Sequence, residues 1–287
     1  MELLADPLAS ALDVLAGRPF VALTGAGLST DSGIPDYRGP TSPRRTPMTY
    51  AEFVSGEAAR RRYWARSHVG WARMARAEPN AGHHAIADLE RIGALRGLIT
   101  QNVDGLHFAA GSRRVIDLHG RIADVICLGC SRRSARAALQ DRLTAANPGF
   151  VERAGMAVES APDGDAMLAA TDGFRLVDCD ACGDVLKPDV VFFGENVPRE
   201  RVASAYALVD EAGALLVAGS SLTVMSGLRF VRHAHRTGVP VVIVNRGRTR
   251  GDDLAHARID AGCSEVLTAL AATIGGAADE RISAGVC

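Results

Sequence analysis

Six short apolar runs limit what this chain can fold into. They cover residues 19–24, 98–100, 115–118, 190–193, 214–218 and 239–244, and each is too short for a helix and too continuously apolar for a half-exposed strand. Helical patterns separate several of them. Residues 3–16 carry Leu3, Leu4, Leu8, Leu12 and Leu15 at helical spacing and stop at Gly17, and a second run, 81–92, follows the start signal Pro79-Asn80. Strands buried on both faces and alternating with helices predict an α/β fold, a parallel sheet with helices on both faces.

Two stretches break the alternation. Residues 39–78 hold Pro40, Pro43 and Pro47 and then an Arg-rich helical run, 60–76, with Tyr63, Trp64 and Trp71. Residues 127–186 hold Cys127-x-x-Cys130 and Cys179-x-x-Cys182 around a loop-rich insert. Both read as excursions that form a smaller lobe, with a ligand cleft between the lobes. Two matched Cys-x-x-Cys pairs close a tetrahedral zinc site in which protein fills every position, so the metal is expected to be structural. A redox pair does not usually come as two matched sets. A nucleic-acid-binding ribbon would need a concentrated basic and aromatic face, which the insert lacks.

Composition excludes several partners. The 32 basic and 33 acidic side chains nearly cancel, leaving no basic excess for nucleic acid. Only Lys187 among the basic residues is a lysine. No apolar run approaches the roughly 18 residues of a membrane span. The start, Met1-Glu2-Leu3-Leu4-Ala5-Asp6-Pro7, has neither a basic n-region nor an Arg-rich presequence, so a cytoplasmic protein is expected.

Polar, glycine-rich blocks follow five of the apolar runs. Gly25-Ala26-Gly27-Leu28-Ser29 fits a pyrophosphate loop at a helix start, although tight strand–helix turns need glycine without any ligand. The acidic residue expected at the end of a second strand is missing. Ile34-Pro35-Asp36-Tyr37-Arg38 stands there instead, which disfavours a hydride-transferring dehydrogenase. Gln101-Asn102-Val103-Asp104 sits at a strand end, where amide and carboxylate groups serve either ligands or turns. His119, in Asp117-Leu118-His119-Gly120, is either a packing residue or a general base suited to neutral pH. Gly219-Ser220-Ser221 fits a phosphate or ribose, and Asn245-Arg246-Gly247 an adenine or ribose edge.

Together these blocks resemble the sirtuins, over residues 15–267. The series Gly25-Ala26-Gly27-x-Ser29-x-x-Ser32-Gly33-Ile34-Pro35-Asp36-Tyr37-Arg38, Gln101-Asn102-Val103-Asp104, His119-Gly120, the two cysteine pairs, Lys187-Pro188-Asp189-Val190-Val191-Phe192-Phe193-Gly194-Glu195 and Gly219-Ser220-Ser221 stands in that family's order. The resemblance implies a Rossmann-like NAD-binding domain from residues 1–45, 79–122 and 187–287. Residues 46–78 and 123–186 would form the small domain, with zinc on Cys127, Cys130, Cys179 and Cys182. It implies NAD as a consumed cosubstrate, acylated-lysine proteins as partners, no nucleic acid or membrane, and a monomer.

The resemblance also assigns roles. Gly25, Ala26, Gly27 and Ser29 would hold the pyrophosphate, and Asp36, Tyr37 and Arg38 would lie near the nicotinamide ribose on a lid. Gln101, Asn102, Val103 and Asp104 would surround the nicotinamide and its ribose. Gly219, Ser220, Ser221, Asn245, Arg246, Gly247 and Cys263 would hold the adenosine half. Val190, Val191, Phe192, Phe193 and Gly194 would line an acyl-lysine tunnel and pair with the peptide in strand fashion. His119, with Asn102 and Asp104, would be catalytic, His119 taking a proton from a ribose hydroxyl. The implied reaction removes an acyl group from lysine to give nicotinamide, O-acyl-ADP-ribose and free lysine. The alternatives are protein ADP-ribosylation, a deacylase preferring longer or acidic acyl groups, and a non-catalytic NAD-sensing or zinc-dependent interaction module.

Residues 62–66 and 69–71, with Ala161-Pro162-Asp163-Gly164-Asp165, look like the class II branch, which includes the mitochondrial sirtuin four. Tyr63-x-x-Arg66 is similar to a pair that recognises acidic acyl groups, where an arginine grips a carboxylate through two hydrogen bonds. The company of Arg60, Arg61, Arg62, Arg73 and Arg76 favours an Arg-rich solvated helix for the same arginine.

Overall fold

The computed structural model describes residues 5–37, 46–154, 162–164, 166, 168 and 171–284. Nine strands occur among them: β1 (Phe20–Thr24), β2 (Leu95–Thr100), β3 (Val115–Asp117), β4 (Gly120–Cys127), β5 (Arg133–Ala135), β6 (Leu186–Val190), β7 (Ala214–Ala218), β8 (Val241–Val244) and β9 (Ala257–Ile259). The helices are α1 (Ala5–Leu15), α2 (Tyr50–Val54), α3 (Glu57–Met74), α4 (Ala81–Arg91), α5 (Leu106–Ala109), α6 (Arg136–Ala146), α7 (Phe150–Ala154), α8 (Arg199–Asp210), α9 (Met225–Arg236) and α10 (Cys263–Ala284). None is long and apolar enough to cross a membrane among the described residues.

Six strands form one sheet in the order β3-β2-β1-β7-β8-β9, with every pairing parallel. The continuous apolar character of β1, β7 and β8 follows from burial on both faces. Phe20, Ala22, Leu216 and Val242 point to one side and pack on Leu15 of α1, Ile86 and Leu89 of α4 and Leu267 and Leu270 of α10. Val21, Leu23, Leu215 and Ile243 point to the other side, onto Val209 of α8 and Phe230 and Val231 of α9. Each of these buried side chains larger than alanine contributes about 1.5–3 kcal/mol through the area it removes from water.

From β1 the chain runs out to β2 and β3 on one side and returns to β7, β8 and β9 on the other. The order therefore reverses between β1 and β7, and a crevice opens outside the carboxyl ends of the strands at such a point.

One strand expectation is corrected. Residues 190–193 do not belong to the parallel sheet. Val190 ends β6, which lies in a second, three-stranded sheet of order β5-β4-β6 and pairs antiparallel with β4. Pro188 explains the placement, since a strand lacking one N–H is suited to an edge, and β6 is an edge strand. This sheet joins a third core in which Phe53, Tyr63, Trp64, Leu139 and Phe174 are buried around α3 and α6. The Arg-rich run is thus a helix with a buried aromatic face. Arg136 is fully buried there, its guanidinium 4.8 Å over the Trp71 ring and 5.3 Å over Trp64.

Candidate active site

Five polar blocks meet at the crevice because each directly follows a strand of the parallel sheet. A cavity of about 470 Å³ is lined there by Gly25 to Gly27, Ser29, Asp36, Tyr37, Gln101 to Asp104, His119, Val190 to Gly194, Gly219 to Ser221 and Asn245 to Gly247. That volume suits a ligand of cofactor size. Arg38, Ala161 and Asp165 lie outside the described residues. Cys263 does not line the cavity. It opens α10 in the core, its thiol 3.8 Å from the Val244 carbonyl and pushed up to about 12 by burial.

The glycines are required by a close approach between loops. A Cβ on Gly25 or Gly27 would stand 2.8 or 2.9 Å from the Gly219 carbonyl oxygen, and one on Gly219 only 2.3 Å from the Leu28 nitrogen. The Gly25 amide donates to Ala218, Gly27 to Gly219, Leu28 to Gly25 and Ser29 to Ala26. These N–H groups are spent inside the protein, so the glycine spacing reflects backbone packing at the switch point. Leu222, buried just beyond, is held at φ 54, a left-handed conformation that costs a branched residue energy.

Ser29, Asn102 and Asp104 form one polar cluster. Ser29 Oγ donates to Asp104 Oδ2 at 2.7 Å, and Asn102 Nδ2 donates to Ser29 Oγ at 3.0 Å and to the Gly25 carbonyl at 3.1 Å. Burial raises the Asp104 carboxyl above its ordinary range, opposed by bonds from the Leu106 amide and Ser29. Behind the cluster, Thr24 Oγ1 donates to Thr100 Oγ1 at 2.9 Å, and Thr100 Oγ1 accepts the Asn102 amide at 3.1 Å. His107 Nε2 lies 2.9 Å from Thr24 Oγ1. Since the Thr24 hydroxyl already donates to Thr100, His107 is the donor here. Sequence reasoning passed over Thr24 and His107, which carry no motif.

His119 is held by both ring nitrogens. Nδ1 lies 2.8 Å from the Gln101 carbonyl oxygen, which can only accept, so Nδ1 carries the proton. Nε2 then presents its lone pair, and Ser226 Oγ stands 2.8 Å from it. Burial first, and then the charges of Arg201 and Arg229, depress the pKa of His119 against the opposing Gln101 bond. A neutral imidazole with a basic nitrogen at a cavity wall can accept a proton near neutral pH.

On the opposite wall, Phe192 packs edge-on against Phe53 at 5.3 Å and lies 5.2 Å from Tyr63, and Tyr37 meets Phe193 at 6.0 Å. The Val191 amide donates to the His119 carbonyl, the Phe192 amide to Glu195 Oε2, and the Tyr50 amide to the Phe193 carbonyl. Those three groups are already occupied, which restricts where this segment could pair with a peptide. Lys187 secures it from beneath. Only 3% exposed, its Nζ donates to the Val190 carbonyl at 2.5 Å and lies 3.1 Å from Glu195 Oε2. Arg66 Nε donates to the Ala166 carbonyl at 2.7 Å, and Arg66 does not line the cavity.

The two cysteine pairs converge although 48 residues stand between Cys130 and Cys179. Cys127 and Cys130 flank the turn after β4, where Ser131 takes φ 60, and Cys179 and Cys182 flank a second turn closed by Gly183 at φ 74. All four Sγ atoms lie within 4.8 Å of one another. Zinc–sulfur bonds of about 2.3 Å in a tetrahedron put sulfurs about 3.8 Å apart, so this donor set fits a structural zinc ion.

Comparison with known proteins places this geometry in a class. The Sir2 family model matches residues 25–226, and the chain belongs to that family. It is 61% identical over 262 residues to "NAD-dependent protein deacetylase 1" of Mycobacterium avium, covering 90% of this chain and 92% of that one. It is 54% identical over 272 residues to the protein of the same name from Streptomyces coelicolor, covering 93% and 90%. Among solved structures, a complex described as Sir2-p53 peptide-NAD+ superposes with a TM-score of 0.76 at 31% identity, covering 93% of this chain and 98% of that one.

Proposed function

We propose that the protein is an NAD-dependent protein-lysine deacylase, releasing nicotinamide, O-acyl-ADP-ribose and free lysine. The observation that carries this reading is His119, whose basic nitrogen faces a cavity at the switch point beside the Ser29–Asn102–Asp104 cluster. Family membership and the names of the relatives support it.

In this reading Asn102 and Asp104 hold the nicotinamide and its ribose, and Ser220, bonded to Gln101 Oε1 at 2.7 Å, supports the opposite side. Gly25 to Gly27 and Ser29 border the pyrophosphate, which the close-packed glycine backbone lets approach, and Ser221, Asn245, Arg246 and Gly247 hold the adenosine half. Breaking the nicotinamide bond leaves a cationic sugar carbon that water would capture, so the cavity must exclude water while the acyl oxygen attacks from the other face. Asp36 to Arg38 act as the lid. Val190 to Gly194 hold the acylated lysine. His119 removes a ribose hydroxyl proton so that this oxygen can attack the acyl carbon.

Residues 1–45, 79–122 and 187–287 form the NAD-binding domain in this assignment, and residues 46–78 and 123–186 the small one. The small β5-β4-β6 sheet links the two. The enzyme acts in the cytoplasm as a monomer, and the residues 62–66 and 69–71 support the class II branch. The test is nicotinamide release from NAD with an acetyl-lysine peptide. Release must depend on the acyl group, and formation of the free lysine peptide must vanish in His119→Ala. Peptide-independent release with ADP-ribose mass gained by a protein would favour ADP-ribosyl transfer instead.

A further inference from the structure

We propose that Ser226 Oγ carries the proton from the substrate ribose hydroxyl to His119 Nε2, so that the working base is a serine–histidine pair. This rests on the deacylase reading and adds a catalytic residue to it. Ser226 stands in the first turn of α9, far along the chain from His119, and both line the same cavity. It is 9% exposed.

The bonding around the ring leaves few routes. Nδ1 is committed to the Gln101 carbonyl, and the single lone pair of Nε2 is taken by the Ser226 hydroxyl at 2.8 Å. A ribose hydroxyl that bonded Nε2 directly would first have to expel Ser226, leaving a buried hydroxyl without its partner at a cost of about 1–3 kcal/mol. A hydroxyl that donates to Nε2 still has two lone pairs with which to accept from the ribose. A relay keeps every polar atom bonded.

The helix is seated for this arrangement. A Cβ on Gly227 would stand 2.6 Å from the Gln101 side-chain amide, so the glycine lets the start of α9 close on Gln101. Gln101 thus holds one ring nitrogen and abuts the helix that holds the other. Arg201 of α8 and Arg229 of α9 are the charged groups facing the imidazole, and both favour its neutral form.

The proton relay itself needs no other reactant, and the complete turnover consumes one water. The ribose O–H bond breaks and its proton passes to Ser226 Oγ, while the proton already on Ser226 passes to Nε2. The ribose oxygen attacks the acyl carbon with the freed electron pair. The imidazolium then gives its proton to the lysine nitrogen as the acyl C–N bond breaks, a water adds to the acyl carbon so that the acyl group stays on the ribose, and both side chains return to their starting state.

The test compares wild type, Ser226→Ala, Ser226→Cys, Ser226→Thr and His119→Ala in single turnovers with NAD and an acetyl-lysine peptide, in mixtures of light and heavy water. Wild type should give a bowed rate plot, as two moving protons require. Ser226→Ala and Ser226→Cys should lose about tenfold or more in rate with a linear plot, general-base effects being about 10²–10⁴, while the KM for NAD stays within about twofold. Ser226→Thr should restore the rate and the curvature. Wild-type rate and curvature in Ser226→Ala would overturn the relay, as would a loss confined to KM or melting temperature. Absence of acyl-dependent nicotinamide release by wild type would overturn the deacylase reading and the relay together, and is told apart by the wild-type control.

Discussion

Gly219→Ala isolates the close approach that builds the crevice. Gly219 has φ +66 and would place a methyl group 2.3 Å from the Leu28 nitrogen, whereas Gly17 has φ +76 with nothing within 4 Å. Both substitutions carry the left-handed penalty of about 1–2 kcal/mol. Both regain about 0.4–1 kcal/mol from a stiffer unfolded chain, so Gly17→Ala should cost about 1 kcal/mol. At Gly219 the loops must also separate. The bond from the Gly27 amide to the Gly219 carbonyl, 2.8 Å long, is then lost with neighbouring packing. That adds about 0.5–1.5 kcal/mol for the bond alone, for a total of about 2 kcal/mol before any packing loss. Urea unfolding with unchanged m values would measure the difference, and calorimetric titration with NAD should show weakened binding for Gly219→Ala only. Equal losses in the two variants, with NAD affinity intact, would refute the role given to the loop contact.

Other outcomes follow from the same geometry. His119→Ala should abolish deacylation while its circular dichroism spectrum and unfolding midpoint stay near wild type. Removing zinc with a chelator, or Cys179→Ser, should unfold the small lobe, seen as lost cooperativity in thermal unfolding followed at Trp64 and Trp71. Lys187→Met leaves Glu195 and the Val190 carbonyl without their partner and should cost about 2–4 kcal/mol, part of it recovered in Lys187→Met/Glu195→Gln when measured in urea. His83 is buried and depressed from 6.5 to about 4, with His107 depressed beside it. The unfolded chain therefore binds more protons between those values. Stability should rise with pH across that window and be lost as pH falls through it, by roughly 3 kcal/mol for His83 alone, read from urea midpoints between pH 4 and 7.

The parallel sheet and the crevice were legible because each signal is local. Residues 20–23, 214–218 and 241–244 are apolar throughout, and each polar block follows its strand directly. The zinc donors were legible because ligand spacing is itself a motif. What the sequence hid is non-local. Nothing within residues 186–190 reveals that this strand pairs with residues 120–127, although Pro188 does signal an edge. Ser226 reads as an ordinary residue near a helix start until the fold brings it to His119. Lys187 is noticeable as a lone lysine, but its clamp on Glu195 and Val190 appears only once the segment turns back. At Tyr63 and Arg66 the spacing is suggestive, while the fold buries Tyr63 and sets Arg66 Nε on the Ala166 carbonyl.

Mass balance on one reaction tests the central claim most directly. Purified protein, NAD and an acetyl-lysine peptide should yield nicotinamide, unmodified lysine peptide and acetyl-ADP-ribose in equal amounts, with the acetyl group found on the ribose. Free ADP-ribose with the peptide still acetylated, or ADP-ribose attached to protein, would contradict it.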